Sequence, residues 1–343
     1  MADTAKLQTE KIVTDVLGTI DREREREIIA RRFGLFDRRE TLEQIGELLG
    51  ITRERVRQLE KAVVARLKTH AEAGQLPHIV AVQDSFIEHL GNMGNIARVS
   101  DLSAKINKDN SRIDQSRTSF LAQLSPKLVV IDDNDHYYHS VALKAVHDEK
   151  KVKKLVEQII AAVKQIGEPT TIEEIAKVAN IENTKHAAAL ASTSKALATL
   201  NGRWGLIKWP MVNPKNIRDK IYVILKEHGK HMHFNEIAKA IKDSDFKRKD
   251  VTTQAIHNEL IKDKRFVLIG RGIYALKEWG YEKGTVADII TQVLKKSKEP
   301  LHRDEIVKLV LKSRYVKETT ILLNLQGKPQ FKRVAKATYA LAE

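Results

Sequence analysis

The chain has 343 residues, 42% of them hydrophobic, 31% charged and none cysteine, which predicts more than one globular domain and excludes disulfides, cysteine zinc sites, iron–sulfur clusters and cysteine nucleophiles. Sixty Lys and Arg against 45 Asp and Glu give a net charge of +15 and favour a polyanionic partner. No window approaches the roughly 18 apolar residues of a spanning helix, and MADTAKLQTEK lacks the pattern of a signal peptide, so a cytoplasmic protein without a membrane partner is expected.

Residues 1–20 form an N-terminal segment of charge −1, and residues 21–70, at +3, form the first predicted domain. Within it, TLEQIGELLGITRERVRQLEKAVVARLK (41–68) has the form of a helix-turn-helix. Thr41 caps a helix running to Leu49, with Gln44 completing a capping box. Gly50 can take the positive φ of the turn, and Thr52 caps the next helix. On a helical wheel Arg53, Arg57, Lys61, Glu54 and Gln58 share one face, and Leu59, Val63, Val56 and Leu67 share the opposite one. One face can pack on the preceding helix. The other offers arginine, glutamate and glutamine, which read guanine, cytosine and adenine edges in a major groove. A solvated, ion-paired surface would carry similar charges. Base-reading types directly after a capped turn favour DNA.

Beyond residue 77 the chain repeats. VSDLSAKI (99–106), TIEEIAKVA (171–179), HFNEIAKAI (233–241) and HRDEIVKLV (302–310) each set an acid before an aliphatic anchor, Leu102, Ile175, Ile237 or Ile306, with a second aliphatic four positions on. TLEQIGELL, anchored on Ile45, fits the same template upstream. An amphipathic helix precedes the anchor helix, as in 151–166 and 217–228, and Thr171 with Glu174 suggests a further capping box. A third helix and a β-hairpin follow. FVLIGRGIYAL (266–276) and FKRVAKATYAL (331–341) align without a gap, and in the first unit LVVI (128–131) and HYYHSV (136–141) flank the turn Asp132, Asp133, Asn134, Asp135. Three helices and a hairpin outline a winged helix, with other small α+β modules as the competing reading. The predicted fold is mainly α: a helix-turn-helix domain followed by small winged-helix (α+β) units at 77–143, 149–212, 213–281 and 283–343. Charges of −3 over 71–148, +4 over 149–212, +5 over 213–282 and +7 over 283–343 put the positive field in the C-terminal half.

Lys247, Arg248 and Lys249 lead into VTTQAIHNELI, whose Thr253, Gln254, His257 and Asn258 are predicted to be exposed. With Arg271 in the wing they suit a second DNA contact, against an ordinary basic loop. His228, His231 and His233 lack the cysteine or carboxylate of a metal set and read better as a solvated loop. Asp132, Asp133 and Asp135 lack the glycine and glutamate of a calcium loop. Gly270, Arg271 and Gly272 precede a strand, so they make a wing tip and not a phosphate cradle. No catalytic cluster stands out. The expectation is a protein that is not an enzyme and has no metal, cofactor or small-molecule substrate.

Residues 21–68, through RE before an amphipathic helix, RFGL at its end, TLEQIG and TRERVRQLEKAVVARLK, closely resemble region 4 of the primary sigma factors of bacterial RNA polymerase. The resemblance implies that Arg53, Glu54, Arg57 and Gln58 contact bases of the promoter −35 element, with Thr52, Arg55 and Lys61 near phosphates. It also implies docking on the flap of the polymerase β subunit through the apolar flank Ile28, Ile29, Phe33 and Leu35, although core packing accounts equally well for each residue alone. Sigma factors melt the −10 element with an aromatic-rich region before region 4, and 20 residues precede it here, so a complete primary sigma factor is not expected. Residues 213–281, through FNEIAKAI and NELIKDKRFVLIGRGIYALKEWGY, resemble the HARE helix-turn-helix, which also forms the N-terminus of the polymerase delta subunit, and RWGLIKWP (203–210) repeats its closing signature. Together these imply a cytoplasmic, nucleoid-associated transcription factor acting in initiation, with double-stranded promoter DNA and the RNA polymerase core as partners. The alternatives are a delta-like interaction subunit, motivated by the acidic first winged unit, and a non-specific nucleoid DNA-binding protein.

Overall fold

The N-terminal elements follow their capping chemistry. In the computed structural model, which describes residues 7–246, 248 and 250–342, α1 (Thr9–Gly18), α2 (Glu23–Phe33), α3 (Leu42–Leu49) and α4 (Arg53–Glu72) form the first domain. Thr41 and Gln44 make the reciprocal box at the start of α3, Gly50 ends it at φ +63, and the Thr52 hydroxyl accepts from the Arg55 N–H to open α4. At Gly46 the turn passes so close that a Cβ would stand 2.7 Å from the Ile51 carbonyl oxygen. Ile28, Ile45 and Val56 are fully buried and join α2, α3 and α4.

The first winged unit comprises α5 (Ile79–Asn92), β1 (Ile96–Arg98), α6 (Val99–Ile106), α7 (Arg112–Leu124), β2 (Leu128–Ile131) and β3 (Ser140–Leu143), with its antiparallel sheet in the order β1-β3-β2. β3 starts at Ser140 and not at His136. The backbone of the intervening residues is engaged elsewhere: Tyr138 donates to the Thr193 carbonyl, and the His136 carbonyl accepts from Lys195, both at 2.8 Å. The second unit comprises α8 (Glu149–Ile166), α9 (Ile172–Val178), α10 (Thr184–Thr193), β4 (Leu197–Leu200) and β5 (Arg203–Leu206). Thr171 has the extended backbone of an N-cap, but its side chain accepts no capping bond, so the second expected box is absent. The entry to α9 is held instead by the bridge between Thr170 and Trp204.

The chain divides into two compact units, Met1–Lys208 and Trp209–Glu343. The second holds α11 (Ile217–His228), β6 (Met232–His233), α12 (Phe234–Asp243), α13 (Thr253–Lys262), β7 (Phe266–Gly270) and β8 (Ile273–Leu276). It then repeats the order with α14 (Val286–Ser297), β9 (Leu301–His302), α15 (Arg303–Ser313), α16 (Glu318–Gly327), β10 (Phe331–Ala335) and β11 (Thr338–Leu341). Its sheets run β6-β8-β7 and β10-β11-β9, and the two aligned hairpins carry their bulges at the same relative place, Leu268/Gly270 and Arg333/Ala335. The fold is therefore mainly α, with a helix-turn-helix followed by small winged-helix units.

One packing feature was not predicted. A single hydrophobic core runs from Val13, Ile29, Leu35, Val63 and Leu67 of the first domain into Phe86, Leu102, Phe120 and Leu124 of the first winged unit. Nearly all of the second half of α7 is buried, including Phe120, Leu121, Ala122 and Leu124. The helix that would read DNA in a free-standing winged unit is here a core element shared by two modules.

Candidate nucleic-acid interface

The two-faced pattern of α4 fixes its orientation. Val56, Val63 and Leu67 are buried and Leu59 is partly so. The opposite face leaves Thr52, Arg53, Glu54, Arg55, Gln58 and Lys61 exposed and Arg57 half-exposed. Glu54 receives two bonds from the Arg57 guanidinium, at 2.8 and 2.5 Å. That pairing holds the Glu54 carboxyl below its ordinary range and raises the Arg57 guanidinium. Arg55 donates to Gln58 Oε1 at 3.3 Å, and Arg53 pairs with Glu43 of α3 at 3.3 Å. Both charges of the Glu54–Arg57 pair thus stand ionised and mutually oriented at the N-terminal end of a capped helix. An ordered guanidinium fork is the geometry that bonds guanine O6 and N7, and an ionised carboxylate accepts from cytosine N4.

The flank assigned by resemblance to polymerase docking lies inside the protein. Ile28 belongs to the helix-turn-helix core, Ile29 and Leu35 are fully buried in the core shared with the first winged unit, and Phe33 is half-buried with its ring 4.9 Å from that of Phe120. The Leu35 carbonyl accepts from Arg117 Nε at 2.8 Å, and the same guanidinium pairs with Glu10 at 2.9 Å. Sequence reasoning missed this cover. Its signal was the length of the apolar arc in SFLAQL (119–124), too wide for a helix packed on one side only.

In the second compact unit, Lys247 and Lys249 lie outside the described residues. Arg248 is exposed with φ +54, and its carbonyl accepts from Lys220 Nζ at 2.7 Å. Gln254 donates to Asn258 at 3.1 Å on the exposed side of α13, and Arg271 stands exposed in the turn between β7 and β8. Thr253 is only half-exposed, and His257 packs between Phe234 at 5.0 Å and Tyr274 at 6.1 Å. The expected four-residue exposed face is thus reduced to Gln254 and Asn258, because the aromatic cluster draws His257 inward.

The histidine run is not one solvated loop. His228 ends α11 and is exposed, His233 caps α12 through its Nδ1, accepting from the Asn235 N–H, and the His231 ring packs tilted against Tyr315 with centroids 4.5 Å apart. Among the described residues no group of three His, Asp or Glu is placed to hold a metal ion, and no helix is long and apolar enough to cross a membrane. The Asp132–Asp135 segment is a turn in which the Asn134 side chain accepts from the N–H groups of His136 and Tyr137.

The helix-turn-helix segment with this geometry is similar to known proteins. Over 72 residues the chain is 42% identical to the RNA polymerase sigma factor sigB of Arabidopsis thaliana, covering 21% of this chain and 12% of that protein. Over 63 residues it is 43% identical to the RNA polymerase sigma factor SigA of Listeria monocytogenes, covering 18% of this chain and 17% of the relative. The chain therefore spans less than a fifth of the length of these relatives. Residues 22–69, which contain α2, α3 and nearly all of α4, match the family described as Sigma-70, region 4.

Proposed function

We propose that this protein is a DNA-binding transcription factor of bacterial RNA polymerase that recognises −35-type promoter DNA with α4 and acts in initiation. One observation carries the reading: the apolar face of α4 is buried while Arg53, Glu54 and Gln58 stand exposed and Arg57 half-exposed at its capped N-terminal end, within a segment similar to sigma-70 region 4. In this reading Thr52, Arg55 and Lys61 lie beside phosphates, and the protein works in the cytoplasm on nucleoid DNA. The positive charge of the HARE-like unit and its C-terminal neighbour, including Lys247, Arg248, Lys249 and Arg271, adds sequence-independent grip through phosphate contacts, with the neutral amide of Gln254 as a further donor. Engagement of the β flap through Ile29, Phe33 and Leu35 requires α7 to leave them, since α7 now occupies that face.

A second reading, a delta-like interaction subunit with little DNA reading of its own, is favoured by the burial of the second half of α7, which takes that stretch out of reach of DNA. Residue-mapped crosslinking of the full chain to promoter DNA, with and without core polymerase, separates the two. The first reading expects crosslinks from residues 52–61 to bases of the −35 element. Polymerase crosslinks with no base contact from α4 would replace it with the second.

A further inference from the structure

Between the helix-turn-helix domain and the first winged unit lies a cleft of about 610 Å³ with a predominantly polar lining. The DNA-reading face of α4 does not account for it. Its size falls within the range of small-molecule sites, roughly 300–1,000 Å³. The charges along its walls do not cancel. Arg32 is matched by Glu60 at 3.2 Å, and Asp133 by Lys195 at 3.0 Å. Arg39, Arg98 and Arg112 also line the cleft, and among the described residues none of the three has a carboxylate within ion-pair distance. Among the described residues of the lining, Asp132 is the carboxylate left without an ion-pair partner.

The three guanidiniums come from both modules. Arg39 belongs to the loop between α2 and α3, where its Nε donates to the Arg32 carbonyl at 3.1 Å. Desolvation, and then the neighbouring Arg32, press its guanidinium below the ordinary range and outweigh the opposing pull of Glu60 and Asp132. Arg98 is fixed by stacking at 4.0 Å over the Tyr138 ring and by donating to the Ser192 carbonyl. Arg112 begins α7 and is exposed. The first turn of α6, which no side chain caps, lines the same space through Val99 and Ser100.

We propose that this cleft binds a small anion carrying two or more phosphate groups, such as a nucleoside diphosphate or triphosphate. Planar guanidinium forks match phosphate oxygens in bidentate geometry, and their charge does not titrate away near neutral pH. The volume exceeds the need of a single phosphate and leaves room for the organic part of the ligand. Because Arg39 stands on one module and Arg98 and Arg112 on the other, bound ligand ties the helix-turn-helix to the winged unit and stabilises that arrangement by mass action.

The test is calorimetric titration of the full chain with inorganic pyrophosphate, GDP and ATP, with random-sequence duplex DNA as a further titrant. Saturable binding of at least one phosphate compound is expected. Arg39→Ala and Arg112→Ala should each weaken it by tenfold or more, with unchanged circular dichroism establishing that both variants fold. Arg57→Ala, on the DNA-reading face, should leave this affinity unchanged, so the site stands or falls separately from the proposed function. No saturable binding of any small phosphate compound overturns the proposal, as does binding indifferent to Arg39→Ala and Arg112→Ala. So does a result in which only the duplex senses these substitutions, since the cleft is then a track for the DNA backbone.

Discussion

Replacing Phe120 with alanine tests whether the helix-turn-helix and the first winged unit share one core. Phe120 is fully buried and touches Phe33 of α2 across the junction, with ring centroids 4.9 Å apart. A buried aromatic side chain removes about 150–250 Å² from water, which at about 25 cal/mol per Å² corresponds to roughly 4–6 kcal/mol. Residual burial in the unfolded chain lowers that by ~10–40%. The result agrees with the ~3–5 kcal/mol usual for Phe→Ala in a packed core. The assay is urea unfolding followed by circular dichroism, with amide hydrogen exchange resolved by segment. Phe120→Ala is expected to lower stability by ~3–5 kcal/mol and to reduce protection in α2 and α4 as well as in α7. Loss of protection in α7 alone, with α2 and α4 unchanged, would refute the shared core.

Two further outcomes follow from single positions. Gly46→Ala is expected to cost ~1–3 kcal/mol by overpacking, because the added Cβ meets the Ile51 carbonyl oxygen at 2.7 Å and the α3–α4 turn must open; a thermal melt unchanged from the parent would contradict that contact. His147 is buried, neither of its ring nitrogens has a hydrogen-bond partner among the described residues, and it stacks at 4.9 Å on His186. Burial, then His186, press its pKa from 6.5 down to about 4. The unfolded chain therefore binds a proton that the folded one does not between those values. The His147 contribution to stability is full above pH 6.5 and is lost as the pH drops toward 4, by up to about 3 kcal/mol at about 1.4 kcal/mol per pH unit. His147→Phe should remove that share of the pH dependence in paired urea melts at pH 7 and 4.5; equal slopes in the two proteins would count against it.

Legibility in the sequence followed the range of the interactions. The capping box at Thr41, the turn at Gly50, the two faces of α4 and the paired hairpins of the second compact unit are set by residues within a few positions of one another, and all were readable. The role of α7 was not, since its cover comes from Ile29 and Leu35, more than 80 residues away. A comparable separation hid the cleft arginines: Arg39 and Arg112 acquire a common meaning only once two modules are packed. Thr171 shows the converse failure, in which a correct local motif forms the cap backbone without the cap bond. The flank taken from resemblance, Ile28, Ile29, Phe33 and Leu35, was apolar for a reason the sequence left open, and packing now supplies it.

The most direct measurement is the dissociation constant of the intact chain for a −35-type duplex and for a shuffled duplex, at one salt concentration, before and after Arg57→Ala. The intact chain should prefer the −35-type duplex. Removal of the guanidinium now paired with Glu54 should weaken that complex by ~1–3 kcal/mol, about 5- to 150-fold, and leave the shuffled duplex within about twofold. Equal losses on both duplexes, or no preference to begin with, would contradict the assignment of α4 as a sequence-reading helix.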